Sequence, residues 1–195
     1  ENLNTYFGSE VQYQRPFSSN VLTLPTSFTR ILPKWHHHSF LKERSTWNFI
    51  LSLRNEIVDE KQRVYLENLI TLVEENLGYM LHQEVEKTKV ALSAAEQAGF
   101  LFKSYPIHIA FDVETKNYTR TIEPSIAEIE AAALETMRLG NCDPNSVEII
   151  QYTGGTSKVP AIRKRIQALF PNAKAVDSEA FTAVSEGLAI AENLG

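Results

Sequence analysis

The sequence predicts an α/β chain in which a helical stretch and a small antiparallel sheet precede a β-α-β-α segment. Three observations carry this. Apolar residues recur at helical spacing from Trp47 to Leu92, apolar runs broken by short polar turns follow from Ala98 to Ile122, and two apolar runs alternate with two helical stripes after Val147.

Residues 1–44 hold Pro16, Pro25 and Pro33 with little periodicity, and read as an irregular arm anchored by aromatic residues near Trp35. The run His36-His37-His38 suggests metal, but three successive side chains diverge on a helix or a strand, which argues against a shared ion. Ser45 or Thr46 can cap a first helix carrying Trp47, Ile50, Leu51, Ile57 and Val58 and ending near Asp59. Val64, Leu66, Leu69, Ile70, Val73, Leu77, Met80 and Leu81 carry the helical pattern on to about Ala95, with Gly78 placed to kink or split it into a hairpin.

Strands are predicted over 98–103, 107–113 and 118–122, separated by Ser104-Tyr105-Pro106 and Thr115-Lys116-Asn117, as an antiparallel meander. His108 falls on the opposite strand face from Ile107 and Ile109, as a structural or solvated residue. Pro124 suits the first turn of a helix that runs to Leu139 and is stopped by Gly140-Asn141. Val147–Tyr152 then reads as a strand, 153–157 as a tight turn, and Pro160 as the opening of a helix striped by Ile162, Ile166, Leu169 and Phe170. Residues 173–176 form a second strand, and Phe181, Val184, Leu188 and Ala191 stripe a closing helix. Two strands joined through a helix imply a parallel pair with a right-handed crossover. The expected organisation is an arm over 1–44, a helical and β-hairpin subdomain over 45–123, and a sheet subdomain over 124–195.

Composition narrows the function classes. The 195 residues, 43% of them hydrophobic, suffice for a core without covalent staples. The single cysteine, Cys142, excludes an internal disulfide framework and a cysteine-rich zinc knot. Nineteen basic against 24 acidic side chains give a net charge of −5, which disfavours a nucleic-acid partner. No apolar run approaches the ~20 residues of a membrane helix, and residues 1–8 lack the pattern of an export signal. The expectation is a soluble, cytoplasmic protein without a membrane partner.

The chain contains no GxGxxG, Walker A, GxSxG or HExxH pattern, so nucleophilic hydrolases and zincins lose support. Two features remain. At Gly154-Gly155 a strand ends in bare backbone at the carboxyl end of a parallel strand, where α/β folds place ligands; a turn serving no ligand is the equally simple reading. Upstream, at ~100° per residue, Glu86, Lys89 and Ser93 fall within ~60° of one another on a helix. That face offers an acceptor, a charged donor and a hydroxyl, suited to ribose hydroxyls and the polar edge of a purine. The plain alternative is an exposed helix face with a Glu86–Lys89 pair.

The string Thr153-Gly154-Gly155-Thr156-Ser157-Lys158-Val159-Pro160-Ala161-Ile162 resembles the adenosine-binding segment of the 70-kDa heat-shock chaperone family (DnaK-like). Glu86-Lys87-Thr88-Lys89-Val90-Ala91-Leu92-Ser93 resembles the helix that closes over adenine and ribose in that family, and Ser93 precedes Thr153 by sixty positions, a spacing similar to the family's. The resemblance implies the later half of an actin-like ATPase (ribonuclease H-like) domain, lobe II. Residues 45–123 would then be the helical and hairpin subdomain (IIB-like), and 124–195 the sheet subdomain (IIA-like). The arm, with Leu22-Thr23-Leu24-Pro25 and Ile31-Leu32-Pro33-Lys34-Trp35, is closer to a divergent, YegD-like branch.

The resemblance further implies nucleotide contacts from Glu86, Lys89, Val90, Ser93, Gly154, Gly155, Thr156 and Lys158, with ATP or ADP as ligand. It implies a cochaperone or nucleotide-exchange factor as protein partner. Two positions depart from the family: Val90 stands where an arginine usually stacks on adenine, and Lys158 replaces the arginine of the Gly-Gly segment. No segment matches the family's phosphate loops or catalytic residues, so Mg²⁺ would bind only together with those parts, and this chain alone is expected to be inactive as an ATPase. The final acidic signature aligns in two registers across Asp177–Ala189, so no carboxylate role is carried over there. The competing functions are a noncatalytic protein-interaction domain on an actin-like fold, and another actin-like ATPase or kinase, such as a sugar or acetate kinase.

Overall fold

The computed structural model describes residues 3–57 and 59–178. The described residues divide into two compact units, one drawn from within 3–89 and 98–113, the other from 90–97 and 114–178.

In the first unit the N-terminal 44 residues are more ordered than an irregular arm. A 3-10 turn spans Leu3–Phe7, and β1 (Gln12–Gln14) pairs antiparallel with β2 (Val21–Thr23) in the register Tyr13↔Leu22. The short α1 (Thr26–Thr29) and a 3-10 segment, Trp35–Lys42, follow. Phe7, Val11, Leu24, Leu32 and Leu41 from this region are buried in the core of the unit. Burial of each such side chain contributes roughly 1.5–3 kcal/mol, so proline content did not prevent the segment from packing. Polar ties hold it in place: the Asn68 side-chain amide donates to the Tyr6 carbonyl at 3.1 Å, and the Gln12 amide donates to Gln62 Oε1 at 2.7 Å.

The helical hairpin follows. α2 (Arg44–Ser52) tightens into a 3-10 turn over Leu53–Asn55, ending earlier than Asp59. Asp59 instead caps α3 (Glu60–Glu74), its carboxylate accepting from the amides of Lys61 and Gln62. The long apolar run is split as expected, but the residue that splits it is Asn76, not Gly78. Asn76 is left-handed, with φ 54°, and the amides of Asn76 and Leu77 return to the carbonyls of Val73 and Leu72. This closes α3 with two otherwise orphaned carbonyls satisfied. α4 then runs from Gly78 to Leu92.

β3 (Gln97–Ser104) and β4 (Ile107–Glu114) pair through a two-residue link, which permits an antiparallel hairpin alone. Ala98, Phe100, Phe102, Ile107 and Ile109 point into the core, and His108 is exposed on the other face, as the alternation predicted.

The predicted third strand is absent. Residues 118–122 lie in α5, a helix spanning Thr115–Leu139, so the meander has two strands and the expected subdomain boundary at 123/124 falls inside a helix. Thr119, Thr121 and Ile122 favour a strand by composition. Tyr118, Ile122 and Ile126, however, stand four residues apart and form one apolar stripe that packs with Val159, Ile162 and Ile166. Packing overrides propensity, and Pro124 sits in the helix interior instead of its first turn. The stop at Gly140-Asn141 holds: Asn141 is left-handed at φ 48° and the Cys142 amide returns to the Met137 carbonyl.

The second unit completes a β-α-β arrangement. β5 (Ile149–Tyr152) pairs parallel with β6 (Lys174–Asp177), in register from Ile149↔Lys174 to Tyr152↔Asp177, with α6 (Pro160–Leu169) between them. Arg165 of α6 reaches two carboxylates of α5, Glu123 at 2.5 Å and Glu130 at 2.7 Å. The expected closing helix striped by Phe181, Val184, Leu188 and Ala191 lies outside the described residues. Among the described residues, no helix is long and apolar enough to cross a membrane.

Candidate functional site

The predicted site residues fall on both units. Glu86 and Lys89 belong to the first, and Val90, Ser93, Gly154, Gly155, Thr156 and Lys158 to the second.

Glu86 and Lys89 lie one turn apart on α4, and the Lys89 ammonium donates to Glu86 Oε1 at 2.6 Å. Both side chains are about half exposed, so the pair contributes little to stability. Its chemical content is a carboxylate and an ammonium held side by side, one acceptor and one donor for a polar ligand edge. Thr88, between them in sequence, is buried and turns its hydroxyl back to the Glu84 carbonyl at 2.9 Å. Val90 is 67% exposed, an apolar surface with no charge to offer. Ser93 is not on the helix. α4 ends at Leu92, and the Ser93 amide closes a tighter turn onto the Val90 carbonyl at 3.1 Å. The three-residue helical face read from the sequence is therefore reduced to Glu86 and Lys89.

In the second unit the Gly-Gly turn follows β5 directly. Gly154 has φ +82°, a left-handed conformation that costs a residue with a Cβ roughly 1–2 kcal/mol. Gly155 is different. Its φ is −64°, ordinary for any residue, and a Cβ built on it would meet nothing within 4 Å. Folding of the turn therefore requires glycine at 154 and does not require it at 155. Thr156–Lys158 form one 3-10 turn, in which Thr156 and Lys158 are exposed while the Ser157 hydroxyl donates to the Gly154 carbonyl at 2.7 Å. Val159 is buried, and Pro160 starts α6 where its missing amide removes no helix bond.

A cluster that sequence reasoning missed stands at the carboxyl ends of the two parallel strands. The Arg163 guanidinium lies 4.4 Å from the centre of the Tyr152 ring and forms an ion pair with Asp177. The Tyr152 hydroxyl donates to the Arg163 carbonyl at 3.3 Å. Burial pushes the phenol above its usual range; Arg163 opposes this and the Asp177 carboxylate reinforces it. The topology was the available signal: a β-α-β unit brings the ends of its parallel strands together, and Tyr152 and Asp177 close the two strands.

The three histidines of the first unit do not converge. His36 and His37 meet edge to face at 4.4 Å, whereas His38 is buried with its Nε2 2.9 Å from the Leu32 carbonyl. Among the described residues, no group of three His, Cys, Asp or Glu side chains has the geometry to hold a metal ion.

Residues 53–194 match the family model described as "Hsp70 protein". The chain is also similar to the heat shock protein hsp88 of Neurospora crassa, with 29% identity over 87 residues. That match covers 44% of this chain and 12% of the relative, so the chain corresponds to a small part of that protein's length.

Proposed function

The chain belongs to the Hsp70 family, and from that premise we propose that it is an adenine-nucleotide-binding part of a heat-shock-type chaperone's actin-like ATPase domain. In this reading residues 45–114 are the IIB-like part of lobe II and, with the boundary moved to the start of α5, the residues from 115 on are the IIA-like part. ATP or ADP is the ligand. Mg²⁺ binds together with family segments that have no counterpart here, and the protein partner is a cochaperone or exchange factor acting on the nucleotide cycle.

Gly155 carries the reading. A glycine whose backbone needs no glycine, exposed beside open space at the end of a parallel strand, is explained by a ligand that approaches the main chain where a side chain would stand. The exposed Thr156 hydroxyl and Lys158 ammonium beside it supply a neutral donor and a positive charge, suited to a phosphorylated nucleoside. Glu86 and Lys89 are proposed contacts to ribose or base; Val90 offers an apolar surface, and Ser93 a hydroxyl on a turn.

The test is Gly155→Val, followed by ADP affinity and thermal melting together. At least a tenfold loss of affinity with unchanged melting is expected. Unaltered affinity would overturn the role given to Gly155.

A further inference from the structure

β1 ties the N-terminal hairpin to the first unit, and β2 forms its outer edge. The Leu24 amide donates to the Val11 carbonyl at 2.8 Å, which fixes the phase of the ladder. Tyr13 and Leu22 therefore face each other as a hydrogen-bonded pair, while Gln12, Gln14, Val21 and Thr23 turn their backbone groups away from the partner strand. On the β1 side these groups are used: the Gln14 amide donates to the Glu56 carbonyl at 3.0 Å, and the Gln12 amide to Gln62. On the β2 side the amides and carbonyls of Val21 and Thr23 form an open edge among the described residues, and Val21, Leu22 and Thr23 are all exposed. The edge also lacks the usual protections, since no charged residue occurs from Ser18 to Thr29 and Pro25 lies beyond the strand.

The turn joining the strands is unusual too. Phe17 holds φ 65° and is fully exposed, so a bulky apolar side chain is kept in a costly left-handed conformation with no burial in return. Val21 and Leu22, 60% and 43% exposed, add apolar surface on the same hairpin. We propose that this edge pairs with a second copy of the chain, β2 against β2, across a twofold axis at Leu22. The complementarity is electrostatic: in antiparallel alignment each outward N–H meets a C=O, Val21 of one copy exchanging both bonds with Thr23 of the other on either side of the axis. Leu22 then faces its own counterpart as the intervening pair, where side chains stand closest. A slip of one residue would set outward groups against groups already turned toward β1, so the twofold register is specified. The same alignment carries each turn, with Phe17, toward the exposed Pro25 of the other copy.

So short a contact falls below the size of a permanent interface, and the dimer is a reversible one, half-associated on the order of 100 µM. It owes nothing to the nucleotide reading, and either can fail alone. Sedimentation equilibrium of the 195-residue chain from about 5 to about 500 µM measures it, with monomer expected at the low end and dimer at the high end. Val21→Pro removes an outward amide and no bond to β1, and should weaken association at least tenfold. Leu22→Lys and Leu22→Glu each set like charges opposite one another at the axis and should also weaken it tenfold or more, whereas an equal mixture of the two should associate at least as tightly as the unaltered chain. Phe17→Gly should weaken it about fivefold while the melting temperature holds or rises, because glycine accepts the left-handed backbone. Melting curves are recorded for every variant.

Association that is lost in each Leu22 variant and recovered in their mixture would support the pairing, because only residues that face each other can exchange repulsion for attraction. Loss without recovery would overturn it. Association indifferent to Val21→Pro and to both Leu22 variants would place the contact on another surface and overturn it as well. A chain that stays monomeric up to about 500 µM would overturn the second copy as occupant and leave the edge to an extended segment of a different protein.

Discussion

The imidazole of His38 occupies the space a side chain at Gly78 would need: a Cβ on Gly78 would stand 2.4 Å from His38 Nδ1 and 2.8 Å from Cε1. The ring has little freedom to retreat, being buried and bonded through Nε2 to the Leu32 carbonyl. Gly78→Ala should gain up to ~1 kcal/mol of helix propensity and lose more to the overlap, for a net destabilisation of about 1–2 kcal/mol. Denaturant unfolding of Gly78→Ala, His38→Ala and the double variant tests this. The overlap term should vanish in the double variant, and strictly additive effects would refute the contact.

The same ring makes stability depend on pH. A carbonyl can accept but not donate, so His38 carries its proton on Nε2, leaving Nδ1 buried without a hydrogen-bond partner. Burial lowers the pKa below the ordinary 6.5; the Leu32 bond opposes this, and neighbouring His36 lowers it further. The unfolded chain therefore binds a proton that the folded chain refuses as pH falls below about 6.5, and stability falls with it. The urea midpoint should decrease between pH 7.5 and 5.5, and His38→Phe should flatten that slope. An identical slope in the variant would place the titration elsewhere.

Pro124 is exposed in the interior of α5, where it gives the Arg120 carbonyl no amide to accept from. Pro124→Ala restores the bond without removing buried surface. Part of the gain is offset because alanine leaves the unfolded chain freer. A net stabilisation of about 1–2 kcal/mol is expected, visible as a higher melting temperature. A lower one would mean that the proline sets a bend the unit needs.

The two turn glycines should separate stability from binding. Gly154→Ala is expected to cost about 1–2 kcal/mol because of its left-handed backbone. Gly155→Ala should leave the unfolding midpoint nearly unchanged, since its backbone and surroundings accept a methyl group. Equal losses at both positions would show that the pair serves the turn alone.

The sequence was most readable where pattern and punctuation agreed. The hairpin strands alternate cleanly, and the Tyr152–Pro160 connection appears with the expected boundaries because strand, glycines and N-terminal proline reinforce one another. It misled at 118–122, where β-branched residues imitated a strand and the partners of the opposing helical stripe, Val159 and Ile162, lie some forty positions away. Asn76 went unnoticed beside Gly78 because asparagine enters the left-handed region less conspicuously than glycine. At the candidate site, the residue types at Glu86 and Lys89 were visible, but the end of α4 at Leu92 was not.

Arg165 divides its attention between Glu123 and Glu130, which lie two helical turns apart on α5. Loss of either carboxylate leaves the guanidinium a companion, so the join between α5 and α6 tolerates one such change and weakens with the second. Redundancy of this kind loosens the evolutionary constraint on each glutamate separately while tightening it on the pair. Related sequences should then drift at one of these positions or the other, and keep an acidic residue in at least one wherever the arginine persists.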